Sequence, residues 1–176
     1  MPKPEVPIDV NASTGVWETD GLPMLYVPRH FFINNHVELE QALGRDKYAG
    51  LLFNSGFQSA YSWCEHESTR HGLTGMEVFH HYMRRLSLRG WAQFDGLGID
   101  ETTYSGEVRV SHSCFVLHHG QATSDKRCYA FAGWFPGALA WVSESLGQEK
   151  HFVSFESQCA AQGNVNCLFK VTATEK

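Results

Sequence analysis

Three cysteines and one glutamate near the end of the sequence have the residue types and spacing of a metal site. Cys159 and Cys167 flank Gly163-Asn164, a turn signal that should bring their thiolates together. Glu156 stands three residues before Cys159 at the predicted end of a strand, and Cys128 would approach from the start of the preceding helix. Three thiolates and a carboxylate would complete a tetrahedral zinc site, which leaves no position for a catalytic water. The excess negative charge of this set would require N–H donors or cations around it.

Plain burial is the alternative explanation of these cysteines. Cysteine is among the most often buried residue types, and the chain has no C-x-x-C pair. Glutamate is a harder donor than the fourth Cys or His of most zinc sites. The chain has 5 cysteines and begins without the apolar region of a secretion signal, so disulfides are not expected. Spacing alone leaves both metal binding and packing open.

The histidines form no recognisable metal motif. The run His66-Glu67-Ser68-Thr69-Arg70-His71 resembles H-E-x-x-H, but its two histidines stand five residues apart, about 140° around a helix. The neighbours His80 and His81 diverge in any regular element. His112 differs, because it shares a predicted apolar strand face with Cys114. It is either a satisfied core group or a polar anchor in a cavity.

The sequence gives little support to covalent catalysis or nucleotide binding. It contains no G-x-S-x-G nucleophile elbow, no G-x-G-x-x-G and no P-loop. Cys64 is followed by Glu65 and His66, but adjacency in sequence does not make a catalytic dyad. The interpretation therefore leans away from an enzyme.

The elements that would position these residues are predicted in the order β-α-α-α-β-β-α-β-β. Their approximate ranges are Met24–Phe32, Asn35–Gly44, Lys47–Arg70, Thr74–Gly90, Trp91–Leu97, Glu107–Leu117, Ser124–Gly147, Lys150–Phe155 and Asn166–Thr172. This order predicts an α+β fold, with an antiparallel sheet packed against helices as a single pair of layers. Residues 1–22 are interpreted as an N-terminal arm, flexible or laid on a partner, and residues 23–176 as one domain.

Three local features refine this prediction. Thr74 and Glu77 form a capping-box pattern at the start of the third helix. On that helix the arginines, Arg85 among them, are assigned to the solvent side. Pro136 should kink or restart the helix that contains it.

Composition excludes several classes of function. Hydrophobic residues make up 43% of the chain and aromatic residues 13%, which excludes a disordered protein. A net charge of −5 with no basic run argues against a nucleic-acid partner. The longest uncharged apolar stretch, Phe131 to Val142, has 12 residues, whereas a membrane span needs about 20. A cytoplasmic protein with neither membrane nor nucleic acid as partner is expected.

The motif around the cysteines resembles the C-terminal half of the 4-vinyl reductase (hydrocarbon-binding) domain. The matching residues are Cys128, Ala132-Gly133-Trp134, Gly137, Glu156, Cys159, Gly163, Cys167, Phe169 and Val171, with Arg89-Gly90-Trp91-Ala92-Gln93-Phe94 upstream. This family includes the sensor domains of phenol- and xylene-responsive bacterial regulators and a protein associated with bacteriochlorophyll synthesis. Its fold is shared with TRAPP trafficking subunits and is usually dimeric. The gap from Cys128 to Glu156 is longer here than in the sensors.

The resemblance implies a zinc ion and a ligand pocket. In the aromatic sensors zinc is held by the set that corresponds to Cys128, Glu156, Cys159 and Cys167. A small apolar or aromatic molecule would lie between helices and sheet. The residues assigned to this pocket are Trp91, His112, Trp134, His66, Phe131 and Gly137. The pair Gly133 and Gly137 has a simpler explanation as a small-residue face for close helix packing.

These observations predict a stand-alone small-molecule-binding domain, a sensor or an accessory protein, that forms a homodimer and has a possible protein partner. No ATPase or DNA-binding segment follows the domain, so a complete transcription regulator is not expected. Two alternatives stay open. One is an accessory subunit or small enzyme in a catabolic or tetrapyrrole pathway, and the other is a ligand-free dimeric scaffold, which a filled core would favour.

Overall fold

The computed structural model describes residues 6–119 and 124–175 of the chain. Its strands are β1 (Asp9–Val10), β2 (Trp17–Thr19), β3 (Leu22–Met24), β4 (Gln93–Ile99), β5 (Gly106–Ser111), β6 (Lys150–Gln158) and β7 (Cys167–Glu175). Its α-helices are α1 (Arg29–Leu43), α2 (Arg45–His71), α3 (Met76–Leu88), α4 (Cys114–His119) and α5 (Trp134–Ser145), with 3-10 helices at Tyr129–Gly133 and Ala160–Gln162. The predicted α+β fold is confirmed.

Two antiparallel sheets organise the strands. The larger has the order β4-β5-β7-β6, so β7 lies between β5 and β6 although it is last in the chain. Val108 and Val110 of β5 and Phe169 and Val171 of β7 alternate along their strands and are buried. Val108 is paired with Phe169, so these side chains share one face of the sheet. The smaller sheet has the order β1-β2-β3.

Helix α5 packs against both α2 and the larger sheet, and two glycines permit its close approach to α2. A Cβ atom added at Gly133 would clash with the carbonyl oxygen of Phe53, and one added at Gly137 would clash with that of Phe57. Phe135, on α5, is fully buried with its ring centroid 5.1 Å from that of Phe169. The packing explanation of the glycine pair therefore accounts for both positions.

The first predicted strand and the first predicted helix are partly wrong. Extended structure ends at β3, and α1 begins at Arg29, directly after Pro28, rather than at Asn35. Proline fixes its own φ and suits the start of a helix. Ile33 and His36, three residues apart, supply the buried face of α1. The predicted end at Gly44 is confirmed.

The predicted strand Glu107–Leu117 stops early. β5 ends at Ser111, and His112 adopts a left-handed backbone with φ +52°. The Ser113 hydroxyl then accepts a hydrogen bond from the Phe115 N–H at 3.3 Å, which caps the new helix α4. The placement of His112 on an apolar strand face is therefore wrong, and its side chain is exposed.

Helix starts depart from the sequence patterns in two further places. No side-chain cap is present at the start of α3, where Glu77 and Thr74 are joined only by a backbone hydrogen bond, so the predicted capping box is wrong. Pro136 lies in the first turn of α5, where its missing N–H costs no helical hydrogen bond. The helix predicted from Ser124 begins instead at Trp134, after a 3-10 helix over Tyr129–Gly133, so the predicted start is wrong.

The described part of the N-terminal segment, residues 6–22, contributes to the small sheet. It contacts the rest of the chain through Asp20, which is 6% exposed and forms an ion pair with Arg85 of α3. Arg85 is therefore buried, and its assignment to the solvent side is wrong. Among the residues described, no helix is both long and apolar enough to cross a membrane.

Candidate metal centre and ligand cavity

The four predicted metal ligands meet at one end of the β6–β7 pair. Glu156 belongs to β6, Cys159 follows that strand, and Cys167 begins β7. A register irregularity after Glu156 and a left-handed Gly163 (φ +87°) turn the chain between the strands. Cys128 comes directly before the 3-10 helix, which lies against β6. We call these four residues the cysteine centre.

The donor atoms of the cysteine centre have the spacing of a tetrahedral site. One ligand atom from each residue lies within 4.8 Å of all the others. The Sγ atom of Cys167 is 3.3 Å from that of Cys128 and 3.9 Å from that of Cys159. Zinc–sulfur bonds of about 2.3 Å imply a sulfur–sulfur separation of roughly 3.8 Å in a tetrahedron. A disulfide would require about 2.05 Å, and all five cysteines are free.

Polar groups around the cysteine centre face its donor atoms. Backbone N–H groups of Arg127 and Ala160 each donate to a cysteine sulfur at 3.3 Å. The Cys128 N–H donates to Glu156 Oε2 at 3.1 Å, and the Lys126 ammonium donates to the Glu156 carbonyl at 2.6 Å. These are the N–H donors and the cation that the charge of the ligand set requires.

The chemistry of the cysteine centre fits a bound cation. All four side chains are buried, and Glu156 Oε1 has no hydrogen-bond partner among the described residues. Burial and the neighbouring Cys159 raise the pKa of Glu156 to about 9. Hydrogen bonds with Cys159 and Cys167, together with burial, raise the pKa of Cys128. A dication at the centre would favour the ionised forms of these groups.

Three of the predicted pocket residues form an aromatic cluster. Trp91 and Trp134 meet edge to face with ring centroids 5.0 Å apart, and Phe131 lies 4.9 Å from Trp134. Phe131 is fully buried and also contacts Phe115 at 5.2 Å. The space between α5 and the sheet is therefore filled by close-packed rings at this level.

A cavity of about 210 Å³ lies at the edge of the aromatic cluster, next to Trp91. Its wall includes Tyr26, Phe32, Trp91, Cys114, Arg29 and Arg89. A second cavity of about 190 Å³ shares Tyr26 and Arg89 with it. The engineered cavity that binds benzene measures about 150 Å³, so the Trp91 cavity has room for a single-ring molecule.

Arg89 gives this cavity a polar group that the sequence did not single out as a ligand contact. Its guanidinium lies over the Trp63 ring at 5.4 Å. Its Nε and Nη2 atoms are buried without a hydrogen-bond partner among the described residues. A buried donor without a partner carries a large desolvation cost, which a hydroxyl or carboxylate of a ligand would relieve.

Of the six predicted pocket residues, only Trp91 lines this cavity. Phe131 and Trp134 belong to the neighbouring aromatic cluster, and the other three lie elsewhere. Gly137 packs on α2, and His112 is exposed. His66 Nε2 lies 2.8 Å from the Asp20 carbonyl oxygen, which joins α2 to the small sheet. The structure therefore brings Trp91, Phe131 and Trp134 together. It does not bring Gly137, His112 or His66 to them.

A second group of possible ligands was missed by sequence reasoning. Glu67, His71 and His81, which we call the histidine cluster, place one ligand atom each within 4.8 Å of one another. Glu67 and His71 stand four residues apart on α2 and so share a helix face. That spacing was a signal available in the sequence. The approach of His81 from α3 was not.

A family model matches the N-terminal half of the chain, and solved structures share its fold. The model of a family described as "Domain of unknown function (DUF5943)" matches residues 2–97. No curated protein matches the chain. The phenol-responsive sensory domain of the transcription activator PoxR, solved with phenol, is 18% identical, with a TM-score of 0.76 over 94% of this chain and 84% of that one.

Two other solved structures share the fold at lower similarity. A vinyl-4-reductase family protein from Methanocaldococcus jannaschii is 16% identical, with a TM-score of 0.53 over 86% of this chain and 85% of its own. Subunit 3 of a trafficking protein particle complex from Naegleria fowleri, covalently bound to palmitic acid, is 12% identical, with a TM-score of 0.54 over 84% of this chain and 95% of its own. At these identities the similarity establishes the fold alone.

Proposed function

We infer that this chain, which belongs to the DUF5943 family, is a small-molecule-binding domain, a sensor or an accessory protein, that takes a single-ring aromatic molecule in the Trp91 cavity. Its fold is that of a phenol-responsive sensory domain and of a vinyl-4-reductase family protein. The proposal places it close to the 4-vinyl reductase family, as a cytoplasmic homodimer.

The observation that carries this proposal is a cavity lined mainly by apolar groups whose wall includes Arg89, a residue with two unpartnered guanidinium nitrogens. Ligand sites are mostly apolar with a few placed polar groups, and here Tyr26, Phe32 and Trp91 supply the rings while Arg89 supplies the polar contact. A phenolic oxygen or a carboxylate would accept hydrogen bonds from Nε and Nη2, which are buried and unsatisfied. The ligand class is therefore a small aromatic molecule with one oxygen acceptor.

The test is calorimetric titration of the full chain with phenol and with benzoate. We expect saturable binding of at least one of them, weakened about tenfold or more in Arg89→Met, which keeps the aliphatic stem but removes the donors. Arg84→Met is the matched control, because Arg84 lies on α3, the helix that ends directly before Arg89, and is exposed. Absence of binding in the unmodified chain, or equal weakening in both variants, would contradict the proposal.

A structural zinc ion in the cysteine centre is part of the same proposal. Cys128, Glu156, Cys159 and Cys167 would hold it, and a closed four-ligand site supplies folding energy rather than catalysis. The ion would attach the β6–β7 turn to the 3-10 helix that leads into α5. Protein purified without added metal and then dialysed should retain about one zinc per chain, which Cys159→Ser should lose. Cys64→Ser, at a buried cysteine outside the centre, should keep it.

A ligand-free dimeric scaffold is the second candidate function, and the filled interior favours it. Phe131, Phe135 and Phe169 are fully buried, and the Phe169 ring contacts each of the other two. Exposed apolar side chains such as Leu25, 87% exposed, and Phe31, 59% exposed, would suit a protein partner. A dimer in solution that binds neither phenol nor benzoate would decide for this function.

A further inference from the structure

The histidine cluster contains a buried carboxylate, and one of its two oxygen atoms accepts no hydrogen bond from the described residues. Glu67 is 0% exposed, and its Oε2 atom lies 2.8 Å from His81 Nε2. Its Oε1 atom has no hydrogen-bond partner among the described residues. A fully buried carboxylate oxygen without a partner is costly. The Oε2 atom faces two imidazoles and the Arg85 guanidinium, so Oε1 is the part of this carboxylate that lacks a partner.

The imidazole nitrogens converge as metal ligands do. His71 Nε2 lies 3.4 Å from Glu67 Oε2, and the corresponding distance from His81 Nε2 is 2.8 Å. Zinc bonds of 2.0–2.1 Å to nitrogen and oxygen imply a ligand–ligand separation of about 3.3 Å in a tetrahedron. The Trp63 ring stacks on the His81 ring at 5.6 Å with an interplanar angle of 23°, which fixes the orientation of that imidazole.

Carboxylate and guanidinium groups surround the histidine cluster. Asp20 is a second carboxylate, with Oδ1 3.9 Å from His71 Nε2. Arg85 forms an ion pair with Asp20 and places its Nε 3.8 Å from Glu67 Oε2. The Arg89 guanidinium also interacts electrostatically with Glu67, so with neutral imidazoles the two carboxylates are balanced by two guanidinium groups. Arg70, also 3.9 Å from Asp20, is half exposed and screened by solvent.

We propose that Glu67, His71 and His81 bind a divalent transition metal, separately from the cysteine centre. Two imidazoles and a carboxylate suit zinc, cobalt or iron(II). Three protein ligands leave a position open for water or for Asp20, unlike the closed set of the cysteine centre. The His71 side chain is 35% exposed and gives the ion a path from solvent. All these residues lie within the segment 2–97 that the DUF5943 model matches, whereas the cysteine centre lies outside it.

The test is a Co²⁺ titration of the full chain after dialysis, followed by visible absorption. Cobalt held by nitrogen and oxygen gives weak d–d bands without the thiolate charge-transfer band of a cysteine site, so the spectrum tells the two sites apart. We expect one additional equivalent with the nitrogen–oxygen spectrum. In His71→Gln and His81→Gln its affinity should fall by about tenfold or more.

His80→Gln is the matched control, because His80 is exposed and lies beside His81 outside the cluster. It should bind Co²⁺ like the unmodified chain. His71 is partly exposed, so His71→Gln keeps the test valid even if His81→Gln fails to fold. Failure of the unmodified chain to take up the additional equivalent would overturn the proposal, as would unchanged affinity in His71→Gln. Neither result bears on phenol binding or on the zinc retained after dialysis.

Discussion

The cysteine centre and the histidine cluster differ in how the chain assembles their donors. Three donors of the cysteine centre come from one short stretch, Glu156 to Cys167, and the turn between β6 and β7 brings them together. The donors of the histidine cluster come from two helices, with Asp20 of the N-terminal segment beside them. The first arrangement is set by local turn geometry and the second by helix packing. We therefore expect a metal in the closed, buried cysteine centre to stabilise the fold. A metal in the partly exposed histidine cluster should exchange with solvent.

The largest expected effect is loss of stability when the cysteine centre is broken. Cys159→Ser removes one of three sulfur donors and leaves buried polar groups without their cation, so the free energy of unfolding should fall by about 4 kcal/mol or more. Urea denaturation with and without a chelator measures it. Chelation should destabilise the unmodified chain but have little further effect on the variant. A variant as stable as the unmodified chain would refute a structural role for the metal.

A smaller effect is expected where the N-terminal segment meets the histidine cluster. Asp20→Asn keeps a residue type that tolerates the left-handed φ of +55° but removes the closer of the two carboxylates that face the buried Arg85 guanidinium. The free energy of unfolding should fall by about 3 kcal/mol, while the zinc of the cysteine centre is retained. Asp95→Asn is the control, because the Asp95–Arg109 pair is half exposed and should contribute less than about 1 kcal/mol. Equal effects of the two substitutions would contradict this account.

A third substitution probes the contact between α2 and the 3-10 helix that follows Cys128. Gly133→Ala should destabilise the chain by about 2 kcal/mol, because the new Cβ meets the Phe53 carbonyl and the backbone must move. Gly50→Ala is the control on α2, since nothing lies within 4 Å of the Cβ position there, and it should stabilise by about 0.5–1 kcal/mol. Thermal unfolding of both variants would show shifts of opposite sign if the contact is as tight as described.

Local patterns predicted the cysteine centre well and the histidine cluster not at all. The Gly163 turn and the strands on either side of it follow from residues close in sequence, so the meeting of Cys159 and Cys167 could be predicted. Cys128 stands 28 residues before Glu156 and was included for its residue type, since no local pattern showed that it would reach the other three. The contact between His81 and Glu67 could not be predicted, because neither helix sequence gives the angle at which α2 and α3 pack.

The remaining errors have the same physical origin. Periodicity assigned Arg85 to solvent, but a buried carboxylate from the N-terminal segment covers it. The alternating pattern predicted a strand that continues through His112. The left-handed backbone of His112 and the Ser113 cap instead end the strand and begin a helix. In both places a long-range or single-residue interaction outweighed the local pattern.

The smallest expected effect concerns the rates at which the five thiols react. Burial raises the pKa of Cys114 to about 12 and raises that of Cys64 as well. The thiolate is the reactive form, so at pH 8 only about 10⁻⁴ of Cys114 is ionised. The rate of Cys114 alkylation should rise tenfold per pH unit until the pH approaches 12.

Alkylation read by mass spectrometry should leave all five thiols nearly unmodified while metal is bound. Chelation should expose Cys128, Cys159 and Cys167 to alkylation, while Cys64 and Cys114 stay slow as long as the chain is folded. Fast modification of Cys114 in the metal-bound chain would show that this wall of the Trp91 cavity opens to solvent.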